Sequence, residues 1–444
     1  MKAHRYIPDR NRSFFAWQRP VLARALKFED PAIYLDMRLG KSLVSIEYCI
    51  RKKLRRVLVL CPKTAMVSWR KELTFEKVTI YALTSRKLKL EACTSSQDGW
   101  YMASLATILT VPLHLANWDA IIIDESSRMK DPTSGTTKTL MKYYQKIPHK
   151  ILLSGTPNPE GIVELVPQLI FKDGSCLGCK DFWHFRSRHM IQVEYDWVLR
   201  YGVYDQLKAL THKQTIFMSQ KSAGWDTRET REKVLFKMNA IQIRESERIL
   251  KHFELKLNNE AFTTKYAMTQ SIWLSKIASG YAWKFIINKA KEDWMLEYLA
   301  KHKDEQVICW FRFNDGLRRI KKVLEDAGYR VAALYGTMTV DDRMLAQQAF
   351  QRGETDVMLL QTKIGQYSLD LHNASAAIYF TNSYSAEERS QSEKRISHAE
   401  RISPPAYIDL LFEDSIEVDI LEVLREKKFS FKLLWEMVLK RYIK

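Results

Sequence analysis

The chain has 444 residues, of which 46% are hydrophobic and 27% charged, and its formal net charge is +18. These proportions are those of a globular protein, and no stretch approaches the roughly 20 apolar residues that a membrane span needs. Six cysteines argue against a disulfide framework. The opening residues MKAHRYIPDRNRSFF lack an apolar signal core, so we expect a cytoplasmic location and no membrane partner. The positive charge favours a polyanion, and nucleic acid is the commonest one.

Short apolar runs, separated by helical stretches, recur along the chain. They lie at 57–60, 120–123, 151–153, 307–311, 357–360 and 376–380. Runs without polar alternation are typical of strands buried on both faces of a parallel sheet. The sequence therefore predicts an α/β fold with two lobes, residues 1–170 and 296–444. Residues 171–295 between them are aromatic and charged, and their pattern predicts a mostly helical linking segment.

The first chemical motif is a phosphate-type loop between a predicted strand, AIYL, and a predicted helix, SLVSIEYCI. Gly40, Lys41 and Ser42 match the end of the pattern G-x-x-x-x-G-K-[ST], whereas Leu35 takes the place of the leading glycine. Helix N-termini attract phosphate through their backbone N–H groups and dipole. Lys41 would reach the β- and γ-phosphates and Ser42 would bind Mg²⁺, but a plain loop–helix junction has the same pattern.

Two further motifs follow at the ends of apolar runs. AIIIDESS places Asp124 and Glu125 at the carboxyl end of a predicted strand, where ligands of open α/β sheets bind. Asp124 would hold Mg²⁺ and Glu125 would polarise the attacking water. ILLSGTP ends the next run, and the hydroxyls of Ser154 and Thr156 would sense the phosphates. Taken singly, these motifs are also compatible with an acidic surface turn and an ordinary turn.

The three motifs in this order resemble those of the superfamily 2 helicase ATPases, and VLVLCPKTAMVSWRKEL resembles the Swi/Snf branch. The resemblance implies two RecA-like P-loop lobes that bind ATP and Mg²⁺. It places Gln18 at the adenine-reading position, Leu39 in the nucleotide loop and Lys63 at a nucleic-acid contact. Base stacking is one interpretation of Trp69, Trp183, Trp197 and Trp310, but we expect most of these side chains in the core. Arg38 replaces a family glycine, which is tolerable if its φ angle is negative.

The second lobe carries the remaining motifs of this family. VICWFRF resembles motif IV, with Arg312 as a nucleic-acid contact, and LLQTKIGQYSLDLHN resembles motif V. The motif V positions that the resemblance assigns to DNA contact or coupling are Thr362, Lys363, Gly365 and Gln366. Asp370 is implied to approach the ribose. Ser368 stands where the family usually has glycine.

The segment QSEKRISHAER resembles motif VI, whose arginine reaches the γ-phosphate in this family. Arg395 matches the first arginine of the motif, and Gln391 lies at a coupling position. An arginine finger raises phosphoryl-transfer rates by orders of magnitude in related enzymes. His398 replaces the second arginine, and a mostly neutral histidine anchors phosphate less well than a guanidinium. The alternative interpretation of this basic helix is a solvated face.

A competing interpretation concerns the cysteines and histidines of the linking segment. Cys176, Cys179, His184 and His189 have a spacing close to that of a zinc knuckle, and thiolates with imidazoles suit Zn²⁺. However, the histidines fall in a helical pattern, FWHFRSRH, where five steps place them on nearly opposite sides. We therefore favour a helical linker with incidental cysteines.

The resemblance implies an ATP-driven motor, a Swi/Snf-like translocase on duplex DNA that remodels DNA or displaces bound protein. Within this branch, the sequence is most similar to the short forms from phages and bacteria. That similarity implies a role in phage replication or recombination. Two alternatives remain open at this point. A strand-separating helicase on DNA or RNA would have the same fold, and a catalytically weak ATP-dependent DNA-binding scaffold would account for His398.

Overall fold

The structure of the chain, a computed structural model, describes residues between 14 and 438. The residues inside this range that it does not describe are 64, 160, 194–195, 226–227, 253, 258–259, 264–265, 283–284, 337, 339, 367–368, 370, 397–403, 427–433 and 435–436. The chain divides into two compact units, Met1–Trp225 and Asp226–Lys444. None of the described helices is both long and apolar enough to cross a membrane.

The first unit is built on a parallel sheet of seven strands in the order β3-β4-β2-β5-β6-β1-β9. Its strands are β1 Ala32–Leu35, β2 Arg56–Cys61, β3 Ile80–Ala82, β4 Gly99–Ser104, β5 Ala120–Asp124, β6 His149–Ser154 and β9 Thr215–Met218, and a separate hairpin pairs β7 Met190–Val193 with β8 Asp196–Leu199. Its helices are α1 Gln18–Ala25, α2 Lys41–Arg51, α3 Ala65–Phe75, α4 Arg86–Thr94, α5 Gly135–Thr139, α6 Leu165–Asp173, α7 Phe182–His189 and α8 Val203–Gln214.

The register of this sheet brings three sequence motifs to one edge. β1, β6 and β5 are neighbours and run parallel, with Ile33 opposite Leu153 and Leu153 opposite Asp124. Parallel strands present their carboxyl ends at the same edge of a sheet. The residues that follow these strands are the phosphate-type loop, Ser-Gly-Thr-Pro and Glu-Ser-Ser. The fold therefore assembles a site from segments far apart in sequence.

The second unit is built on a parallel sheet of six strands in the order β10-β19-β18-β15-β17-β16. Its strands are β10 Thr230–Phe236, β15 Val307–Phe311, β16 Val331–Leu334, β17 Val357–Gln361, β18 Ala376–Tyr379 and β19 Ala406–Phe412, and two hairpins pair β11 Glu254–Leu257 with β12 Glu260–Thr263 and β13 Tyr281–Ala282 with β14 Phe285–Ile286. Its helices are α9 Ala240–His252, α10 Ala267–Ala278, α11 Ala290–Lys301, α12 Asn314–Asp326, α13 Val340–Gln351, α14 Ala386–Glu393 and α15 Ile416–Glu426.

The central strand β15 shows why its sequence has no polar alternation. Val307, Cys309 and Phe311 belong to one hydrophobic cluster, whereas Ile308 and Trp310 belong to another. Successive side chains of a strand point to opposite faces, so both faces of this sheet are covered by apolar groups. The predicted α/β fold with parallel sheets in two lobes is confirmed.

The linking segment differs from the predicted boundaries at 170 and 295. Residues up to 225 belong to the first unit and those after it to the second. The physical reason is that β9 pairs with β1 and β10 pairs with β19, so each half of the segment contributes an edge strand to one of the two sheets. Within this segment, which the sequence predicts to be mostly helical, α9 ends at His252 and the hairpin strand β11 follows.

Candidate nucleotide and nucleic-acid sites

The loop between β1 and α2 has two residues with left-handed backbone. Gly40 caps α2 with φ 80°, and Arg38 has φ 65°. Arg38 therefore does not meet the condition of a negative φ angle, under which arginine replaces glycine without strain. A left-handed conformation costs a non-glycine residue about 1–2 kcal/mol. Strain of this kind is typical of functional loops whose shape is imposed by their surroundings.

Lys41 lies at the first position of α2, and its ammonium is held over the loop. The Nζ atom donates to the backbone oxygen of Leu35 at 2.9 Å and to that of Asp36 at 3.4 Å. A Cβ atom built on Gly155 would lie 3.4 Å from the same Nζ. The ammonium of Lys41 therefore lies between the loop and the Ser-Gly-Thr-Pro turn, where a bound phosphate would meet it.

Asp124, at the end of β5, is a buried carboxylate with defined partners. The indole N–H of Trp69 donates to its Oδ2 at 2.8 Å, and the backbone N–H of Glu125 donates to its Oδ1 at 3.0 Å. Burial raises the pKa of Asp124, and the hydrogen bond from Trp69 and the charge of Lys41 partly offset this rise. Of the four tryptophans expected mostly in the core, Trp69 and Trp310 are buried, whereas Trp183 and Trp197 are exposed. The sequence did not predict the hydrogen bond from Trp69 to a candidate metal ligand.

Glu125 and Thr156 complete this edge of the first unit. Glu125 has φ 56°, a second left-handed non-glycine residue at the site. The Ser154 side chain is fully buried, and its hydroxyl accepts from the backbone N–H of Thr156 at 3.1 Å. The Thr156 hydroxyl is buried without a hydrogen-bond partner among the described residues. Buried polar groups are normally satisfied, so this hydroxyl is available to a ligand.

Gln18, predicted to read adenine, contacts the loop itself. Its Nε2 donates to the Leu39 backbone oxygen at 3.1 Å, and its Oε1 accepts from the Phe15 backbone N–H at 3.1 Å. The side chain is 2% exposed. A Cβ atom added to Gly40 would lie only 2.1 Å from its Nε2. In this structure Gln18 supports the phosphate-type loop, and adenine recognition remains a prediction.

The contact between Gly40 and Gln18 leads to a testable expectation. Gly40→Ala should weaken ATP binding about tenfold or more, equivalent to ~1.4 kcal/mol, because the methyl group displaces Gln18 and strains the left-handed backbone. Gly174→Ala is the matched control, since Gly174 has φ 75° and nothing within 4 Å of its added Cβ. Titration with a fluorescent ATP analogue measures both variants. Equal affinities in the two variants would show that the Gln18 contact is unimportant.

A residue that sequence analysis missed is Gln168, on α6. Its side chain is fully buried. Its Oε1 accepts from Ser126 Oγ at 2.8 Å and from the Tyr34 hydroxyl at 3.0 Å. Its Nε2 donates to the Pro157 backbone oxygen at 2.8 Å. A glutamine inside the apolar run of α6 was the available signal, because a buried polar group needs partners.

In the second unit, the motif V segment forms a short 3-10 helix, Thr362–Gln366, directly after β17. Thr362 is 5% exposed and Ile364 is 1% exposed, whereas Lys363 is exposed. The two buried side chains anchor the segment, and Lys363 is presented to solvent. Gly365 and Gln366 complete the same helix.

Motif VI begins on α14, and buried charges hold this helix. The Arg389 guanidinium donates to Asp409 Oδ2 at 3.0 Å and to Glu393 Oε1 at 2.7 Å. Arg231, on β10, also donates to Glu393, at 2.7 Å. These ion pairs connect α14 with two neighbouring strands, and hydrogen bonds to charged groups are about twice as strong as neutral ones. The position at which the chain leaves α14 is therefore fixed.

Arg395 lies just beyond α14, against the end of the motif V segment. Its Nη1 donates to the Leu369 backbone oxygen at 3.4 Å, and its own backbone oxygen accepts from Leu371 N–H at 3.2 Å. Gln391 is 4% exposed and donates to Glu387 at 3.1 Å. Motifs V and VI are thus adjacent within this unit.

Two basic residues outside motif V, Lys63 and Arg312, are also predicted to contact nucleic acid, and their surroundings differ. Lys63 is exposed in the turn after β2. The Arg312 guanidinium lies 3.7 Å from the centre of the Tyr384 ring, and its Nη1 donates to Ser275 Oγ at 3.2 Å. A DNA contact from Arg312 would have to use its remaining N–H groups. Asp370, Ser368 and His398 lie outside the described residues.

The four residues of the zinc hypothesis do not form a cluster. Cys176 and Cys179 exchange two backbone hydrogen bonds, each 2.9 Å long, in a tight turn before α7. His184 and His189 lie on α7, which confirms the predicted helix. Throughout the described part of the chain, no three His, Cys, Asp or Glu side chains are placed to hold a metal ion. Burial raises the pKa of the Cys176 thiol to about 12.

A phosphate-type loop, adjacent carboxylates and a Ser-Gly-Thr turn at one edge of a parallel sheet are typical of the P-loop class of α/β proteins. The chain belongs to the SNF2-related family. The model of the SNF2-related domain matches residues 33–312, and that of the helicase conserved C-terminal domain matches residues 290–400. The resemblance to the Swi/Snf branch is thereby confirmed.

Individual relatives are distant and longer. The chain is 23% identical to chromodomain-helicase-DNA-binding protein 1-like of Danio rerio over 416 residues, which is 86% of this chain and 40% of that protein. It is 23% identical to the SWI/SNF chromatin-remodeling complex subunit snf22 of Schizosaccharomyces pombe over 436 residues, 87% of this chain and 26% of that protein. It is also similar to the Sulfolobus solfataricus SWI2/SNF2 ATPase core in complex with dsDNA, with a TM-score of 0.47, 17% identity and coverage of 97% and 94% of the two chains. The chain thus spans less than half of these two curated relatives.

Proposed function

We propose that the chain is a nucleic-acid-stimulated ATPase that translocates on duplex DNA and thereby remodels DNA or displaces bound protein. The observation that carries this proposal is the arrangement at the first sheet edge. Lys41 lies beside Gly155, and Asp124 ends the strand that pairs with the strand preceding Gly155. Membership of the SNF2-related family supports the same reaction class.

The residues of the first unit suit ATP and Mg²⁺. The loop presents a helix N-terminus with the Lys41 ammonium, which neutralises phosphate charge. Each oxygen of Asp124 accepts one hydrogen bond and retains a lone pair, and the Ser42 hydroxyl lies on the first turn of α2. These two residues would hold Mg²⁺, which neutralises charge on the β- and γ-phosphates when bound. Glu125 would orient and deprotonate the attacking water.

The second unit would complete the reaction and engage the nucleic acid. Arg395 is the candidate for the arginine that stabilises charge on the γ-phosphate. Lys63 and Lys363 are exposed, and together with Arg312 and the motif V segment they are our candidates for contacts to DNA phosphates. Such contacts are largely independent of sequence, as a translocase requires. The net charge of +18 supports a polyanionic partner.

The finer parts of the proposal rest on the sequence alone. They are the assignment to short phage or bacterial forms, a role in phage replication or recombination, and a cytoplasmic location. The alternative of a catalytically weak DNA-binding scaffold rests on His398, because the absence of the second motif VI arginine would slow ATP hydrolysis. The helicase alternative differs from the proposal only in whether the two strands are separated.

ATP hydrolysis with different nucleic acids tests the proposal. We expect little hydrolysis by the protein alone, strong stimulation by duplex DNA, and weaker stimulation by single-stranded DNA or RNA, because the Swi/Snf-like motors track duplex backbones. A coupled ATPase assay at constant low salt measures all four conditions, since binding to phosphates falls steeply with salt. Tight duplex binding without stimulation would favour the scaffold. Stimulation by RNA or single strands alone, with unwinding of forked duplexes, would favour the helicase.

A further inference from the structure

We infer that Gln168 is a positioning residue that keeps the Asp-Glu-Ser-Ser loop and the Ser-Gly-Thr-Pro loop in a fixed mutual arrangement. It would set the rate of ATP hydrolysis rather than the affinity for ATP. The inference rests on the proposed function, since it concerns the efficiency of the same site.

The side-chain amide of Gln168 uses its full hydrogen-bonding capacity. The oxygen accepts from Ser126 Oγ at 2.8 Å and from the Tyr34 hydroxyl at 3.0 Å. The nitrogen donates to the backbone oxygens of Pro157 at 2.8 Å and Glu164 at 3.1 Å. A glutamine amide has two acceptor lone pairs and two N–H donors, so all four are engaged. Because backbone oxygens can only accept, the orientation of the amide is determined by its partners.

Each of three partners is next to a residue that the proposed reaction uses. Ser126 follows Glu125, and Pro157 follows Thr156. Tyr34 precedes Leu35, whose backbone oxygen accepts from Lys41. Burial raises the pKa of Tyr34 far above its ordinary value, so its hydroxyl remains a neutral donor. A shift at Gln168 would therefore be transmitted to three groups around the triphosphate.

Packing alone does not explain a glutamine at this position. All residues of α6 from Leu165 to Lys172 are buried, and the neighbours Leu169, Ile170 and Phe171 belong to the hydrophobic core of the unit. A leucine has nearly the same volume and would fill the same space. The polar side chain instead gives the buried hydroxyls of Ser126 and Tyr34 their acceptor and so connects the two loops with β1.

Substitution of Gln168 separates positioning from stability. In Gln168→Leu, we expect kcat for duplex-stimulated hydrolysis to fall about tenfold to a hundredfold, because small misplacements of reacting groups are costly. We expect KM for ATP to change less than about twofold, as for an interaction that acts on the chemical step. Gln145→Leu is the matched control, because Gln145 donates to the Ile170 oxygen of the same helix at 2.8 Å and, among the described residues, hydrogen-bonds to neither loop.

Two further variants guard against misfolding of Gln168→Leu. Ser126→Ala and Tyr34→Phe each remove one donor to the amide and conserve the packing, and each should lower kcat several-fold, about 1 kcal/mol or less in barrier height. Combining either with Gln168→Leu should add little further loss, since all three disrupt one network.

The outcomes are distinguishable. The inference is supported if kcat falls more in Gln168→Leu than in Gln145→Leu while the two variants have similar melting temperatures. The inference is overturned if kcat is unchanged in Gln168→Leu, or if it is unchanged in both Ser126→Ala and Tyr34→Phe. In either case an active wild type leaves the proposed function intact. A wild type that hydrolyses no ATP with any nucleic acid overturns the proposed function and this inference together.

Discussion

Glu125→Gln is expected to reduce duplex-stimulated ATP hydrolysis by about two to four orders of magnitude while ATP binding is retained. The substitution preserves the size of the side chain and the left-handed backbone at φ 56°, but an amide cannot accept a proton from water. Lys41 and Asp124 are untouched, so the nucleotide should still bind. Steady-state ATPase rates together with titration of a fluorescent ATP analogue measure the two effects separately.

Asp131→Asn is the matched control for Glu125→Gln. It also replaces one carboxylate by an amide, six residues further along the chain. The Asp131 carboxylate accepts from Thr133 N–H at 2.7 Å in an exposed turn, and this local contact lies outside the site. Its rate should stay close to that of the wild type. Comparable rates in Glu125→Gln and wild type would remove Glu125 from the mechanism and favour the DNA-binding scaffold.

Lys291→Met is expected to lower the free energy of unfolding of the second unit by about 3–5 kcal/mol. The Lys291 ammonium donates to both oxygens of Glu417, at 2.7 and 2.8 Å, and to the Phe380 backbone oxygen at 2.9 Å. The two side chains are 1% and 3% exposed. Removal of the ammonium leaves a buried carboxylate without its counter-charge. Thermal or urea unfolding, monitored by circular dichroism, measures the loss.

The pH dependence of this loss has a definite sign. Burial raises the pKa of Glu417 to about 7, and loss of Lys291 should raise it further. A carboxyl group with a raised pKa in the folded state contributes stability at low pH, which is lost as the pH rises through that pKa. The loss of unfolding free energy in Lys291→Met should therefore be smaller at pH 5.5 than at pH 8. A deficit that grows on acidification would contradict this account.

Two controls isolate the buried charge. Lys322→Met removes a lysine paired with Asp326 at 3.1 Å on the solvent face of α12, with both side chains more than half exposed. Surface pairs of this kind contribute about 0–1 kcal/mol, so little change is expected. In the double variant Lys291→Met with Glu417→Gln, neither of the two positions carries a charge, and part of the lost stability should return.

The sequence was most informative where strands are buried on both faces. β15, β17 and β18 were predicted nearly to the residue, because an uninterrupted apolar run suits the centre of a parallel sheet. β10 was missed because TREKVLF is largely polar. It lies at the edge of its sheet, where most of its side chains are exposed, and an edge strand does not need an apolar sequence.

The candidate site was predictable to the extent that it follows strand ends. The carboxyl ends of neighbouring strands bring together Lys41, Asp124 and Ser154, as the order of motifs indicated. The hydrogen bond from Trp69 to Asp124 and the two bonds that Gln168 accepts, from Tyr34 and Ser126, join segments far apart in sequence. No local pattern specifies such partners, since they depend on the order and register of the sheet. The left-handed φ angle of Arg38 was equally beyond the reach of local patterns, because the loop around it imposes that angle.

Displacement of a third strand from a DNA triplex tests the central claim most directly. The account predicts that the wild type releases the strand from a blunt duplex track when ATP is present. It predicts no release with a non-hydrolysable analogue or with Glu125→Gln. Vigorous duplex-stimulated hydrolysis without release of the third strand, or release that proceeds equally well without ATP, would contradict translocation on duplex DNA.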